Sequence, residues 1–151
     1  MDLYLLLKLV HVLLAITALG ANLTYGVWYA RAGREPSHLA FTLAGVSFLD
    51  SRIANPAYAL LLVTGLAMLF VSGLPVTTFW VAAALVLYVA VVVLGIVLYA
   101  PVVRRQRAGL ERGGPTDPDY VAATRRSTAL GILTTVLVVA IVFLMVTKPT
   151  L

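Results

Sequence analysis

The sequence predicts an all-α polytopic membrane protein, a four-transmembrane-helix bundle with a cytoplasmic interfacial helix between spans one and two. Three observations predict it. Of the 151 residues, 62% are hydrophobic and 11% charged, where an ordinary soluble domain has about 45–50% and about 25%. A chain this short has too little interior to bury that surplus, so lipid must solvate much of its surface. Four apolar runs approach the ~20 residues needed to cross a bilayer. The arginines are confined to the segments that follow the first and third runs. The length sets one domain, 1–151.

Span one is Leu3–Ala30, interrupted by Lys8, His11 and Asn22. It lacks a basic leader and is too long for the apolar core of a signal peptide, so it is expected to stay as structure. Pro36 suits a first helical turn. Leu39, Leu43, Val46, Leu49 and Ile53 recur at helical spacing. They predict a helix over Pro36–Ile53 lying at the interface, joined to span two by a bend at Pro56. Span two, Pro56–Val71, is the shortest. The brief Ser72-Gly-Leu-Pro turn makes spans two and three antiparallel neighbours. Span three, Thr78–Ala100, carries no charge. Gly113-Gly-Pro breaks the third loop. Asp117 then reads as an N-cap and Pro118 as a first helical residue. The helix they start runs through span four, Ala129–Thr147, to Lys148. Trp28, Tyr29 and Tyr99 fall near the inner interface and Trp80 near the outer one.

Orientation follows from the basic residues. Arg31, Arg34, Arg52, Arg104, Arg105, Arg107, Arg112, Arg125 and Arg126 lie in the first and third loops, which an even number of spans puts on one side. Only Lys8 and Lys148 lie elsewhere. The positive-inside rule places the nine arginines in the cytoplasm and both termini outside, as in a multi-pass inner-membrane protein. Topology thus accounts for the net charge of +5, and the expected partner is the lipid bilayer, not nucleic acid. The arginines also suit anionic lipid.

Several chemistries are excluded. The chain has no cysteine, and its methionines are Met1, Met68 and Met145. That rules out disulfides and thiolate metal sites and leaves Cu(I) transport without soft ligands. No nucleophile–base–acid set, phosphate loop, metalloprotease motif or span with paired acids is present. The candidates lie on a polar stripe of span one. Tyr4, Lys8, His11, Ala15, Ala18, Asn22, Tyr25 and Tyr29 share one helix face. Lipid cannot hydrogen-bond Lys, His or Asn, so this face turns inward. Span four offers a matching stripe from Thr124 through Thr135 and Val138 to Lys148. Span three offers Tyr88, Val92, Gly95 and Tyr99.

His11 admits two readings. It is an interhelical hydrogen bond, or it is a functional imidazole that ligates haem iron or relays protons. Either way it is expected to face the interior, toward spans three and four. His38 lies in the first loop and cannot share a metal ion with His11 within one chain, so bis-His haem would need a second protomer or a larger complex. Lys8, one turn from His11, snorkels to the outer surface or binds an anionic group. Lys148 is an interfacial anchor at the same level, and Asp2 is placed to pair with either lysine. Asp50, Arg52 and Asn55 form a polar cluster before Pro56, read as a solvated interface with helix capping.

The segment LYLLLKLVHVLLA, with Lys8 and His11, resembles the start of a group of bacterial four-helix membrane proteins. That group includes copper-resistance protein D and the haem-containing membrane protoporphyrinogen oxidase. NPAYALLLVTGLAML, with Pro56 and Gly65, and VFLMVTKPTL, with Lys148 and Pro149, extend the similarity over nearly the whole chain. The nearest branch is known only as predicted integral membrane proteins. The resemblance implies a haem b site with His11 as the iron ligand. It does not extend to a lysine that the oxidase branch carries after a tryptophan in span three, because Trp80 is followed by Val-Ala-Ala-Ala and Ala84 stands there. The histidines associated with that span are also absent, and Tyr88 stands nearby.

Two functions remain open, and the sequence does not decide whether the chain is an enzyme. One is a non-catalytic membrane subunit or scaffold. The other is a haem-b-binding protein with a redox or haem-handling role, using His11, Lys8, Asn22 and Lys148. The topology is testable because the chain is cysteine-free. Cysteines at Ser51 and Thr116 should label only from the cytoplasm and one at Ser72 only from outside. Labelling of all three from one side ends the arrangement.

Overall fold

The computed structural model describes residues 2–149. Four helices are long and apolar enough to cross a membrane: α1 (Leu3–Ala32), α2 (Pro36–Ser72), α3 (Phe79–Thr116) and α4 (Pro118–Thr147). No strand occurs among the described residues. At 1.5 Å per residue the 38 residues of α3 extend about 57 Å, well beyond a ~30 Å hydrocarbon core. The arginine-bearing ends of α3 and α4 therefore project past the membrane as a helical hairpin.

The interfacial helix is not a separate element bent away at Pro56. α2 is continuous, and its one irregularity is a wide turn at Asp50–Ala54 in which the Asn55 N–H donates to the Asp50 carbonyl, five residues back. α3 repeats the device at Leu94–Tyr99, where the Ala100 N–H donates to the Gly95 carbonyl. Each wide turn directly precedes a proline, Pro56 or Pro101. Proline brings no N–H and its ring crowds the preceding turn, so widening that turn absorbs the clash without ending the helix. The extra residue also shifts the buried stripe. Leu39, Leu43 and Val46 are buried as the spacing predicts, but the stripe then passes to Ala54 and Ala57. Leu49 and Ile53, expected on the same face, are 37% and 46% exposed.

α1 packs against α2 and α4, and α3 packs along α4. The short turn brings α2 and α3 side by side in the ring, yet residues 55–72 and 79–93 form no packed interface. Two hydrogen bonds link them instead. The Tyr88 hydroxyl donates to the Tyr58 carbonyl (2.8 Å), and Arg107 Nη2 donates to the Leu43 carbonyl (2.8 Å). The turn itself uses Gly73 at φ +66° to close α2. Small residues such as Ala18, Ala54, Ala57 and Ala84 fill the interior, while Phe70 is 90% exposed and Val146 75%. That inversion suits a chain whose outer solvent is lipid and whose helices associate by close backbone approach.

The third loop is mostly helix. α3 continues to Thr116, the break falls around Gly114 (φ +73°), and Asp117 caps α4 by accepting from the Asp119 and Tyr120 N–H groups. Gln106 Nε2 donates to Thr124 Oγ1 (3.0 Å), and Arg112 pairs with Asp119 at 2.6 Å. That carboxylate, followed by Asp117, raises the Arg112 pKa further; in open solvent the pair adds little stability. The closest approach is at Gly109, where a Cβ would lie 2.6 Å from the Tyr120 backbone nitrogen. Gly109→Ala should therefore cost about 1–3 kcal/mol by overpacking. A Cβ at Gly131 would meet nothing within 4 Å, so Gly131→Ala should be neutral or stabilise by up to about 1 kcal/mol. Thermal unfolding of the detergent-solubilised variants checks both; equal effects would show that the hairpin is not closely packed.

Candidate ligand cavity

Because α2 and α3 do not close on each other, the half of the bundle nearer the termini encloses a cavity of about 370 Å³. All four helices contribute to its largely apolar wall. Its few polar side chains are concentrated at two levels. His11, Tyr58 and Tyr88 lie toward the middle of the bundle, and Lys8, Trp80 and Lys148 lie toward the termini.

His11 is held from α2, not from α3 or α4 as the sequence suggested. Its Nδ1 lies 2.8 Å from Thr64 Oγ1, and a Cβ on Gly65 would come within 3.2 Å of its Cε1. The imidazole thus rests on a notch that only glycine leaves open. The Thr64 hydroxyl donates to the Leu60 carbonyl at 2.7 Å. With its proton committed to the backbone, Thr64 Oγ1 accepts from His11 Nδ1–H, which fixes the tautomer and leaves Nε2 with its lone pair. Nε2 has no hydrogen-bond partner among the described residues. The interhelical bond and an available ring nitrogen are therefore compatible.

Lys8 is exposed beside the cavity mouth. Lys148 ends α4 in the left-handed conformation (φ 44°) and sets its Nζ 5.4 Å from the Trp80 ring centroid, within cation–π range. Neither lysine has an ion-pair partner among the described residues. Asp2 caps α1, accepting from the Tyr4 N–H at 3.2 Å. Asn22 does not line the cavity. Its carboxamide donates to the Tyr58 hydroxyl and ties α1 to α2 below the cavity floor. His38 is exposed on the arginine side and pairs with Glu35 at 2.8 Å. The structure thus brings His11, Lys8 and Lys148 to one cavity and leaves Asn22 and His38 outside it. No group of three His, Cys, Asp or Glu residues is placed to hold a metal ion among the described residues.

Sequence reasoning missed Thr64, Gly65 and Tyr58. A polar–glycine pair inside the apolar run LLLVTGLAML is the available signal, since neither residue has reason to face lipid. Ala84, 2% exposed, stands on the α3 wall of the cavity.

A four-helix membrane bundle with an interior cavity near its termini is the class this geometry defines. The chain belongs to the family described as Predicted integral membrane protein (DUF2269), which matches residues 5–149. No curated protein and no solved structure matches it.

Thr64→Val keeps the side-chain shape and removes the acceptor. Hydrogen bonds between membrane helices average about 0.6 kcal/mol, so the bundle should lose about that much stability and remain folded. Unfolding of Thr64→Val, His11→Gln and the double variant measures the coupling. Additive losses would mean that the two side chains do not interact.

Proposed function

We propose that this chain is a haem-b-binding inner-membrane protein in which His11 Nε2 is the axial ligand, with the arginine ends in the cytoplasm and both termini outside. The observation that carries this reading is the His11–Thr64 pair at the wall of an apolar cavity. Metal-ligating histidines characteristically donate their other ring N–H to a fixed acceptor, which sets the tautomer and the ring orientation. Thr64 is placed to do that.

The rest of the cavity suits the group. The apolar wall would receive the macrocycle. Lys8 and Lys148, at the mouth and without acidic partners among the described residues, would meet propionates. Gly65 leaves the imidazole room to lie against α2, and Ala84 keeps the α3 wall shallow. Haem b supplies one-electron redox chemistry when bound. The chain supplies one axial nitrogen, a dry pocket and cationic charge at its rim. The resemblance to the haem-containing membrane protoporphyrinogen oxidase points to the same histidine. The missing span-three lysine leaves that enzyme's reaction outside the proposal.

A non-catalytic scaffold is the other function the sequence left open. The cavity favours ligand binding over it, because a bundle that only held partners would gain by closing α2 on α3 and filling the void.

Protein purified after expression with haem supplied should show a Soret band. His11→Gln should remove or shift it, since Gln is a poor iron ligand. Lys8→Met should weaken haem binding only about two- to fivefold, the worth of one exposed charge contact. A folded protein without a Soret band, or a band unchanged in His11→Gln, returns the chain to the scaffold reading.

A further inference from the structure

Below the cavity the bundle contains a second set of polar groups that haem binding does not use. The cavity floor includes Tyr58 and Tyr88. The Tyr58 hydroxyl accepts from Asn22, and Tyr88 is tied to the Tyr58 carbonyl. One turn further along α1 stands Tyr25, 6% exposed, whose hydroxyl has no partner among the described residues. Its electrostatic neighbours are Asp50, Tyr58 and Tyr99. Tyr29, the next turn of α1, lies against Tyr99, Asp50 and Arg107. Arg107 Nε is a second buried polar atom without a partner. Asp50, half-buried at the wide turn of α2, bonds only Asn55, at 3.3 Å.

Two unsatisfied polar atoms in one polar column, within a bundle that lipid surrounds, mark places where water is held. A buried hydroxyl at this depth has no other way to recover its hydrogen bonds. No other ionisable group enters the column from the helices packed around it. α4 carries none between Arg126 and Lys148, and α3 carries only Tyr99 between Tyr88 and Arg104.

We propose that this column conducts protons between the arginine end and the cavity. Asp50 takes a proton from the arginine side and becomes a carboxylic acid. It passes that proton to water at the Tyr25 hydroxyl and returns to carboxylate. Each hydroxyl and water along the way accepts one proton and releases one, so a proton leaves toward the cavity at Tyr58. No bond to carbon changes and nothing is oxidised or reduced. The route does not depend on haem, and its failure would leave that reading untouched.

The test uses the full chain, without added haem, in liposomes loaded with a pH-sensitive dye, with a potassium diffusion potential set by valinomycin. Internal acidification should be several times faster than in empty vesicles. Asp50→Asn and Tyr25→Phe should each return it to the empty-vesicle rate, while Asp50→Glu should retain it. Tyr120→Phe, in the hairpin outside the column, should leave it unchanged. Tyr25→Phe keeps the ring and deletes only an unpaired hydroxyl, so its melting temperature should hold or rise. If the polar groups serve only to join helices, the variants shift stability and not flux. A wild-type rate equal to that of empty vesicles overturns the proposal, and so does a wild-type rate kept by either Asp50→Asn or Tyr25→Phe.

Discussion

Hydrocarbon offers no hydrogen bond to a polar side chain, and the arrangement of this bundle follows from that constraint. α1 carries Lys8, His11, Asn22, Tyr25 and Tyr29 along one face. Each needs a partner or water, so the face turns inward and α1 becomes the helix against which α2 and α4 are placed. The hydrogen bonds from His11 to Thr64 and from Asn22 to Tyr58 then fix how far α2 slides along α1. Each bond is weak by itself. Together they make any other register leave several polar groups unsatisfied in a medium that cannot solvate them.

The two prolines near the arginine end fit the same logic. A kink there would carry the long polar ends of α2 and α3 away from their neighbours. The wide turns at Asp50–Ala54 and Leu94–Tyr99 accept Pro56 and Pro101 while both helices run on. Continuity lets Leu39 and Leu43 pack with Ala32 and Tyr120 in a small core on the arginine side. It also brings Arg107 to the Leu43 carbonyl. The wide turn in α2 sets Asp50 near Tyr25 and Tyr29 as well, so the device that tolerates proline also places the one acid of the column.

The cavity arises from what does not pack. α3 is committed to α4 by the hairpin, where Gly109 and Gly113 permit backbone-close contact. α2 is committed to α1 by polar bonds. The short turn around Gly73 holds the ends of α2 and α3 together, but nothing pulls their apolar walls into contact, because lipid tails solvate those walls as well as protein does. The space between is left for a ligand, with a histidine at one level and two lysines at the other.

Much of this was legible in the sequence. Composition and the four apolar runs determine the all-helical membrane bundle, since only helices satisfy their own backbone in lipid. The spacing of Lys8, His11, Asn22 and Tyr25 determines which face of α1 is interior, and Asp117-Pro118 determines where α4 begins. Tertiary structure decided the rest. Periodicity names a face but not the partner opposite it, so the pairing of His11 with Thr64 and of Asn22 with Tyr58 could not be read from one chain. Nor could the continuity of α2 through Pro56, because the same proline ends a helix when the preceding turn cannot widen. Leu49 and Ile53 drop out of the buried stripe for that reason: one extra residue in the turn rotates everything after it, and a sequence pattern carries no record of that rotation.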